Sequence, residues 1–254
     1  MTAPLLVAEG ITKRYGHVTA LAGADLDVRA GEVCALVGDN GAGKSTLVKI
    51  LSGVEVPDGG RIALGGRDVA FAGPLDAQAA GIATVYQDLA LAPELTAAAN
   101  LFLGREVLRP GLLGRLGFVD RAAMRTTATD RFAELGITLR SADVPISSLS
   151  GGQRQSVAIA RAATWADKVI FLDEPTAALG VVQTQRVLEL VREVADRGLG
   201  VVLITHDMTH VCEVADRAHV LRLGRRVATL TGDQITVTGL VTAMTSGRTE
   251  EATS

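Results

Sequence analysis

The run Gly38-Asp39-Asn40-Gly41-Ala42-Gly43-Lys44-Ser45-Thr46 has the spacing of a phosphate-binding loop. Its glycines let backbone N–H groups curl around phosphate oxygens with no Cβ in the way. An apolar stretch precedes it and a helix is expected from about Lys44, so a helix N-terminus adds partial positive charge. Lys44 is placed to reach the β- and γ-phosphates of a nucleoside triphosphate, and Ser45 to offer a hydroxyl to Mg2+. A second chemical group is Asp173-Glu174, which closes the apolar run Val169-Ile170-Phe171-Leu172. Asp173 at a strand end suits Mg2+, directly or through water. Glu174, one residue on, points elsewhere and suits a general base acting on an attacking water.

Strands must hold these residues. Residues 5–9 and 25–29 read as short strands joined by a turn near Tyr15-Gly16, and 32–37 as a buried strand that ends at Gly38. A hairpin is expected over 61–72 around Gly65-Gly66, and a strand over 82–86. Residues 94–145 change texture to Ala-, Arg- and Thr-rich helical patterns broken by Pro110-Gly111 and Gly114–Gly117. Then come a helix from Gly152 to about Thr164, strand 169–172, helix 181–197, strand 200–204, helix 208–215 and strand 218–223. Alternating strands and helices argue a mostly parallel α/β sheet. The last 20 or so residues read as a short helix and a frayed tail.

Leu149-Ser150-Gly151-Gly152-Gln153, a Ser-Gly-Gly turn opening a helix 23 residues before Asp173, offers a second anion site. With this motif the chain resembles the ATP-binding subunit of ABC transporters over about residues 5–247. The resemblance implies an α/β P-loop NTPase cassette in one domain, 1–254. It would have a RecA-like core at about 1–93 and 146–247, an antiparallel β lobe, and a helical subdomain inserted at about 94–145. It implies ATP and Mg2+ as cofactors. It places Tyr15 (in Lys13-Arg14-Tyr15-Gly16) on adenine, Gln87 (in Val85-Tyr86-Gln87-Asp88) on Mg2+ or the attacking water, and His206 (in Ile204-Thr205-His206-Asp207) at the γ-phosphate. Glu174, His206 and Gln87 are then the catalytic candidates, and Ser45, Gln87 and Asp173 those for the metal. The nucleotide candidates are Tyr15, residues 38–46, and Ser150, Gly151, Gly152 and Gln153. His17, His210 and His219 match nothing and read as structural or solvated.

The resemblance also implies partners. Two copies would pack head to tail, with Ser150, Gly151 and Gly152 of one closing over the γ-phosphate held by Lys44 of the other. They would sit under integral membrane permease subunits at the cytoplasmic face of the membrane, served by an extracytoplasmic sugar-binding protein. Where the broader family reads Ser-Ala-Leu-Asp, this chain reads Ala177-Ala178-Leu179-Gly180, so a carboxylate at the dimer interface is missing. That wording, together with 53–60, 100–106 and 111–118, is similar to the single-cassette monosaccharide importers of the ribose, xylose and fructose type. The alternatives are an ABC subunit for another solute, such as an amino acid, and a non-transport ABC ATPase.

Composition agrees with this reading. The 254 residues are 48% hydrophobic but only 3% aromatic, so small aliphatic side chains must fill the core. The net charge of −3 argues against nucleic acid as a partner. Mean hydropathy is +0.29, yet no run nears the roughly 18 apolar residues of a membrane span, and residues 1–12 lack the pattern of a signal peptide. Cys34 and Cys212 both lie in apolar stretches and are expected as buried free thiols, as suits a reducing cytosol. The arginines at 105, 109, 115, 121 and 125, interrupted by Glu106 and Asp120, form either a solvated helical face or a basic face toward lipid or a partner.

Overall fold

The computed structural model describes residues 3–246. Two twelve-residue strands open the chain, β1 (Pro4–Tyr15) and β2 (Val18–Arg29). They are longer than the short strands expected because each pairs with the other throughout, with bulges absorbing Gly10 and the polar residues near Arg14. β3 (Val33–Val37) leads through the glycine loop into α1 (Lys44–Leu51). The expected hairpin is β4 (Gly59–Leu64) and a short β5 (Arg67–Asp68). It is followed by α2 (Pro74–Ala79) and β6 (Ile82–Val85).

Next come α3 (Ala97–Leu101), a single turn α4 (Leu112–Arg115) and α5 (Arg121–Glu134). The chain then alternates: α6 (Gly151–Trp165), β7 (Val169–Asp173), α7 (Val181–Asp196), β8 (Gly200–Ile204), α8 (Met208–Val214) and β9 (Arg217–Arg222). β10 (Arg225–Thr231), not anticipated from sequence, turns back on β9, and α9 (Val237–Ser246) follows. The expected frayed tail, 247–254, lies outside the described residues.

Two sheets result. One is antiparallel with order β2-β1-β4-β5; the other has order β10-β9-β3-β8-β7-β6 and is parallel except for β10. The parallel sheet is buried on both faces, and successive residues of β7 divide between them. Val169 and Phe171 pack with α1 and the antiparallel sheet, while Ile170 and Leu172 pack with α6 and α7. Leu101, Phe102, Met124, Ala128 and Phe132 of the 97–134 segment join that second core, so these helices share it with the sheet. Trp165 anchors them by donating its indole N–H to the Leu101 carbonyl at 2.8 Å and meeting Phe102 edge-on at 5.6 Å.

Cys34 is buried as expected, but Cys212 is exposed. α8 presents Val211 to the core, and the next residue falls on its outer side.

Candidate nucleotide site

Parallel pairing brings the C-terminal ends of β3, β8, β7 and β6 to one edge of the sheet. In register, Leu36 meets Ile204, Asp173 meets Ile204 across the next ladder, and Val85 meets Leu172. The glycine loop, His206, Asp173-Glu174 and Gln87 all follow those ends, which is where open α/β sheets bind ligands.

The glycine loop is fixed by close approaches. Gly38 has φ 152, and a Cβ there would lie 2.1 Å from the Leu221 carbonyl oxygen. Gly43, the N-cap of α1, has φ 102, and a Cβ would lie 2.7 Å from the Ala20 carbonyl oxygen. Asp39, Asn40 and Gly41 are exposed, Ala42 is buried, Ser45 is exposed and Thr46 half-buried in the first turn of α1. Lys44 donates to the carbonyls of Gly38 at 2.6 Å and Asp39 at 3.1 Å, folding its ammonium over the loop. Burial lowers the Lys44 pKa, while Glu174, Asp39 and Asp173 pull it the other way. Burial raises the Asp173 pKa, with repulsion from Glu174 adding and Lys44 opposing. The three groups therefore feel one another's charge.

Glu174 sits in the left-handed region at φ 50, a conformation that costs about 1 kcal/mol or more for a non-glycine residue. Its N–H donates to the Ile204 carbonyl at 2.8 Å, tying it to the end of β8. One carboxylate oxygen lies 2.8 Å from His206 Nδ1. His206 is 78% exposed, so its ring stands at the open mouth of the site. The following residue, Asp207, caps α8 and carries a lowered pKa; burial pushes it up, but N–H groups of Thr209 and His210 and the charge of His210 prevail.

Gln87 is exposed and lines a neighbouring cleft of about 340 Å³ with Asp88, Pro93, Ser147 and Arg154. Arg161 pins the loop after it by donating to the carbonyls of Leu89 at 2.9 Å and Ala90 at 2.8 Å. Tyr15, at the end of β1, is 44% exposed, and its hydroxyl donates to Glu55. Burial of the hydroxyl and the Glu55 carboxylate raise its pKa. Sequence reasoning missed Glu55, because only the fold brings the loop after α1 beside the end of β1.

Ser150 caps α6 in a reciprocal box with Gln153: the Gln153 N–H donates to Ser150 Oγ at 3.3 Å, and the Ser150 N–H donates to Gln153 Oε1 at 3.1 Å. This turn packs on the segment after Glu174. A Cβ on Gly151 would meet Leu179 at 3.3 Å, and one on Gly152 would meet Gln183 at 2.8 Å. The structure thus gathers Lys44, Asp173, Glu174 and His206, and it packs the Ser150-Gly151-Gly152 turn against Leu179 and Gln183 at the start of α7, where it lines a cleft with Arg186 and Glu189.

Comparison with known proteins agrees with this geometry. The family model described as ABC transporter matches residues 21–177. The fructose import ATP-binding protein FrcA of Rhizobium meliloti is 51% identical over 247 residues, covering 96% of this chain and 95% of the relative. The xylose/arabinose import ATP-binding protein XylG of Sulfolobus acidocaldarius is 43% identical, covering 95% and 94%. The ribose import ATP-binding protein RbsA 1 of Burkholderia thailandensis is 44% identical over 98% of this chain, which spans 48% of that relative. Among solved structures, the ADP conformation of MJ1267, an ATP-binding cassette of an ABC transporter, superposes with a TM-score of 0.81 at 27% identity, covering 94% of this chain and 96% of that one. The two-sheet α/β architecture is the P-loop cassette fold, and the chain belongs to the ABC transporter family as one of its ATP-binding, ATP-hydrolysing subunits.

Proposed function

We propose that this cassette energises the import of a monosaccharide, working as a homodimer beneath membrane permease subunits at the cytoplasmic face of the membrane. The observation that carries the chemistry is the gathering of Lys44, Asp173, Glu174 and His206 at one sheet edge. The sugar class rests on the import proteins named above, two of which match nearly end to end. No described helix is long and apolar enough to cross a membrane; in this reading permease subunits supply the channel.

Residues 38–46 and the first turn of α1 cradle the phosphates, and Tyr15 stacks on adenine. The hard oxygen donors of Ser45, Asp173 and Gln87 suit Mg2+, and no three His, Cys, Asp or Glu side chains gather among the described residues to form a self-sufficient cage. Bound with the nucleotide, Mg2+ would neutralise charge on the β- and γ-phosphates. Glu174 acts as general base on the attacking water: His206 holds one carboxylate oxygen and leaves the other for that water. His206, at the mouth, reaches the γ-phosphate when the site closes. Ser150, Gly151, Gly152 and Gln153 cover the ATP of a second copy. Residues 94–145 form the helical subdomain inserted in the core.

The test is uptake of labelled fructose, ribose, xylose and glucose by cells lacking the protein, with an amino acid as control. Uptake of one sugar should fail and return with wild type but not with Glu174→Gln. Loss of the amino-acid signal alone would overturn the sugar assignment.

A further inference from the structure

Between α3 and α5 the chain makes a projection that the nucleotide chemistry does not use. An antiparallel bridge joins Leu108 to Val119, the Arg109 N–H donates to the Phe118 carbonyl at 2.9 Å, and the Asp120 N–H donates to the Val107 carbonyl at 2.7 Å. Above this clasp sits α4. The knuckle is compact: a Cβ on Gly114 would lie 1.9 Å from the Arg109 carbonyl oxygen. α4 buries none of its residues. Leu112 is 71% exposed, Leu116 65% and Phe118 54%, with Leu108 and Leu113 exposed beside them. Five large apolar side chains on so short a stretch exceed the scattered leucines of an ordinary surface.

Charge says what covers them. The whole chain carries −3, yet residues 103–125 hold five arginines against Glu106 and Asp120. Arg105 lies over the Trp165 ring at 4.9 Å, and Arg125 pairs with Asp143 at 3.3 Å. No described carboxylate pairs with the side chains of Arg109, Arg115 or Arg121. An apolar tip ringed by unpaired guanidinium groups matches an anionic bilayer surface, where leucine and phenylalanine enter the acyl boundary and arginine meets the headgroup phosphates. We propose that the 108–118 knuckle docks this protein on anionic lipid.

The test uses the purified full chain in co-sedimentation with phosphatidylcholine–phosphatidylglycerol vesicles and with pure phosphatidylcholine vesicles. Binding should favour the anionic vesicles, weaken with salt, and fall about fivefold for each of Arg109→Gln and Arg115→Gln. Leu112→Glu/Leu116→Glu should abolish it, whereas Val241→Glu, an exposed apolar position on α9, should leave it unchanged. Melting temperature and ATP binding of every variant should match wild type. Equal binding to both vesicles, no binding, or binding that survives Leu112→Glu/Leu116→Glu would overturn the proposal. So would variants that bind vesicles normally yet lose association with purified permease, since that would make the knuckle a protein contact. The assay reads no hydrolysis, so its failure is distinct from failure of the transport reading.

Discussion

At the residue scale, the proposed mechanism assigns holding the nucleotide and cleaving it to different side chains. Lys44 is folded over its own loop by two carbonyls and feels the charge of Glu174 and Asp173. Removing it takes a cationic side chain that senses both carboxylates. Glu174 is held at its positive φ by the bond from its N–H to the Ile204 carbonyl, and its carboxylate is held by His206. The two substitutions should therefore split. Lys44→Ala should weaken ATP binding by tenfold or more, on the order of a lost charge-assisted contact. Glu174→Gln should bind ATP within about twofold of wild type and lose roughly a hundredfold or more in turnover. Titration with a fluorescent ATP analogue and single-turnover phosphate release check the pair. Equal loss of binding in both variants would remove Glu174 from the base role. The positive φ at Glu174 was invisible in the sequence, because it follows from how the end of β7 is tied to Ile204.

At the element scale, a buried polar network joins the two sheets where an aliphatic core was expected. Arg217 on β9 donates to Glu32 at 3.0 Å and to Asp27 on β2 at 2.7 Å, and Arg226 on β10 donates to Asp27 at 2.8 Å. Fully buried His219 donates from Nε2 to the Asp27 carbonyl at 3.0 Å and accepts the Thr229 hydroxyl at Nδ1, 3.0 Å away. Burial brings its pKa down from 6.5 to about 4, the pull of Asp27 being too weak to restore it. The imidazole is thus neutral in the folded state, while the unfolded chain takes up a proton near pH 6.5. Stability is full above that pH and is lost as pH falls toward 4, by about 3 kcal/mol from this residue. Glu32, whose pKa burial raises, works in the opposite direction below its own pKa. Urea unfolding of wild type and His219→Gln across pH 7 to 4 isolates the histidine: the decline should flatten in the variant. An equal slope in both would assign the pH dependence elsewhere. Sequence placed His219 among the structural or solvated histidines; pairing of β9 with β3 and β10 decided for the buried role.

At the scale of the whole molecule, the Ser150-Gly151-Gly152 turn opens α6 and packs beside α7, while the Lys44 loop opens α1 and packs on Ala20 and Leu221. In the proposed head-to-tail homodimer, a complete site would be built from two chains with ATP between them. Glu174→Gln with ATP should shift from monomer to dimer in size-exclusion chromatography with light scattering, while Lys44→Ala with ATP should remain monomeric. A dimer that forms equally without nucleotide would contradict ATP as the joining group. Gly180, at the N-terminus of α7, offers no side chain to that interface or to the helix end, and the Gln183 amide occupies the space beside it.

The sequence alone pointed to the parallel α/β order, the phosphate loop and the acidic pair, while His206 and Gln87 were singled out only through the family resemblance. Each depends on local chemistry: apolar runs of strand length, glycine where backbone must meet phosphate, and charge at a strand end. Tertiary structure alone decided which of these meet. Strand order brought β3, β8 and β7 together, so residues far apart in the chain share one edge. It decided the exposure of Cys212, the burial of His219 and the Glu55 contact of Tyr15, because each depends on which side of an element faces a neighbour distant in sequence. It also decided that the leucines of 108–118 stand outward, since a short clasp leaves a knuckle too small to bury its own side chains.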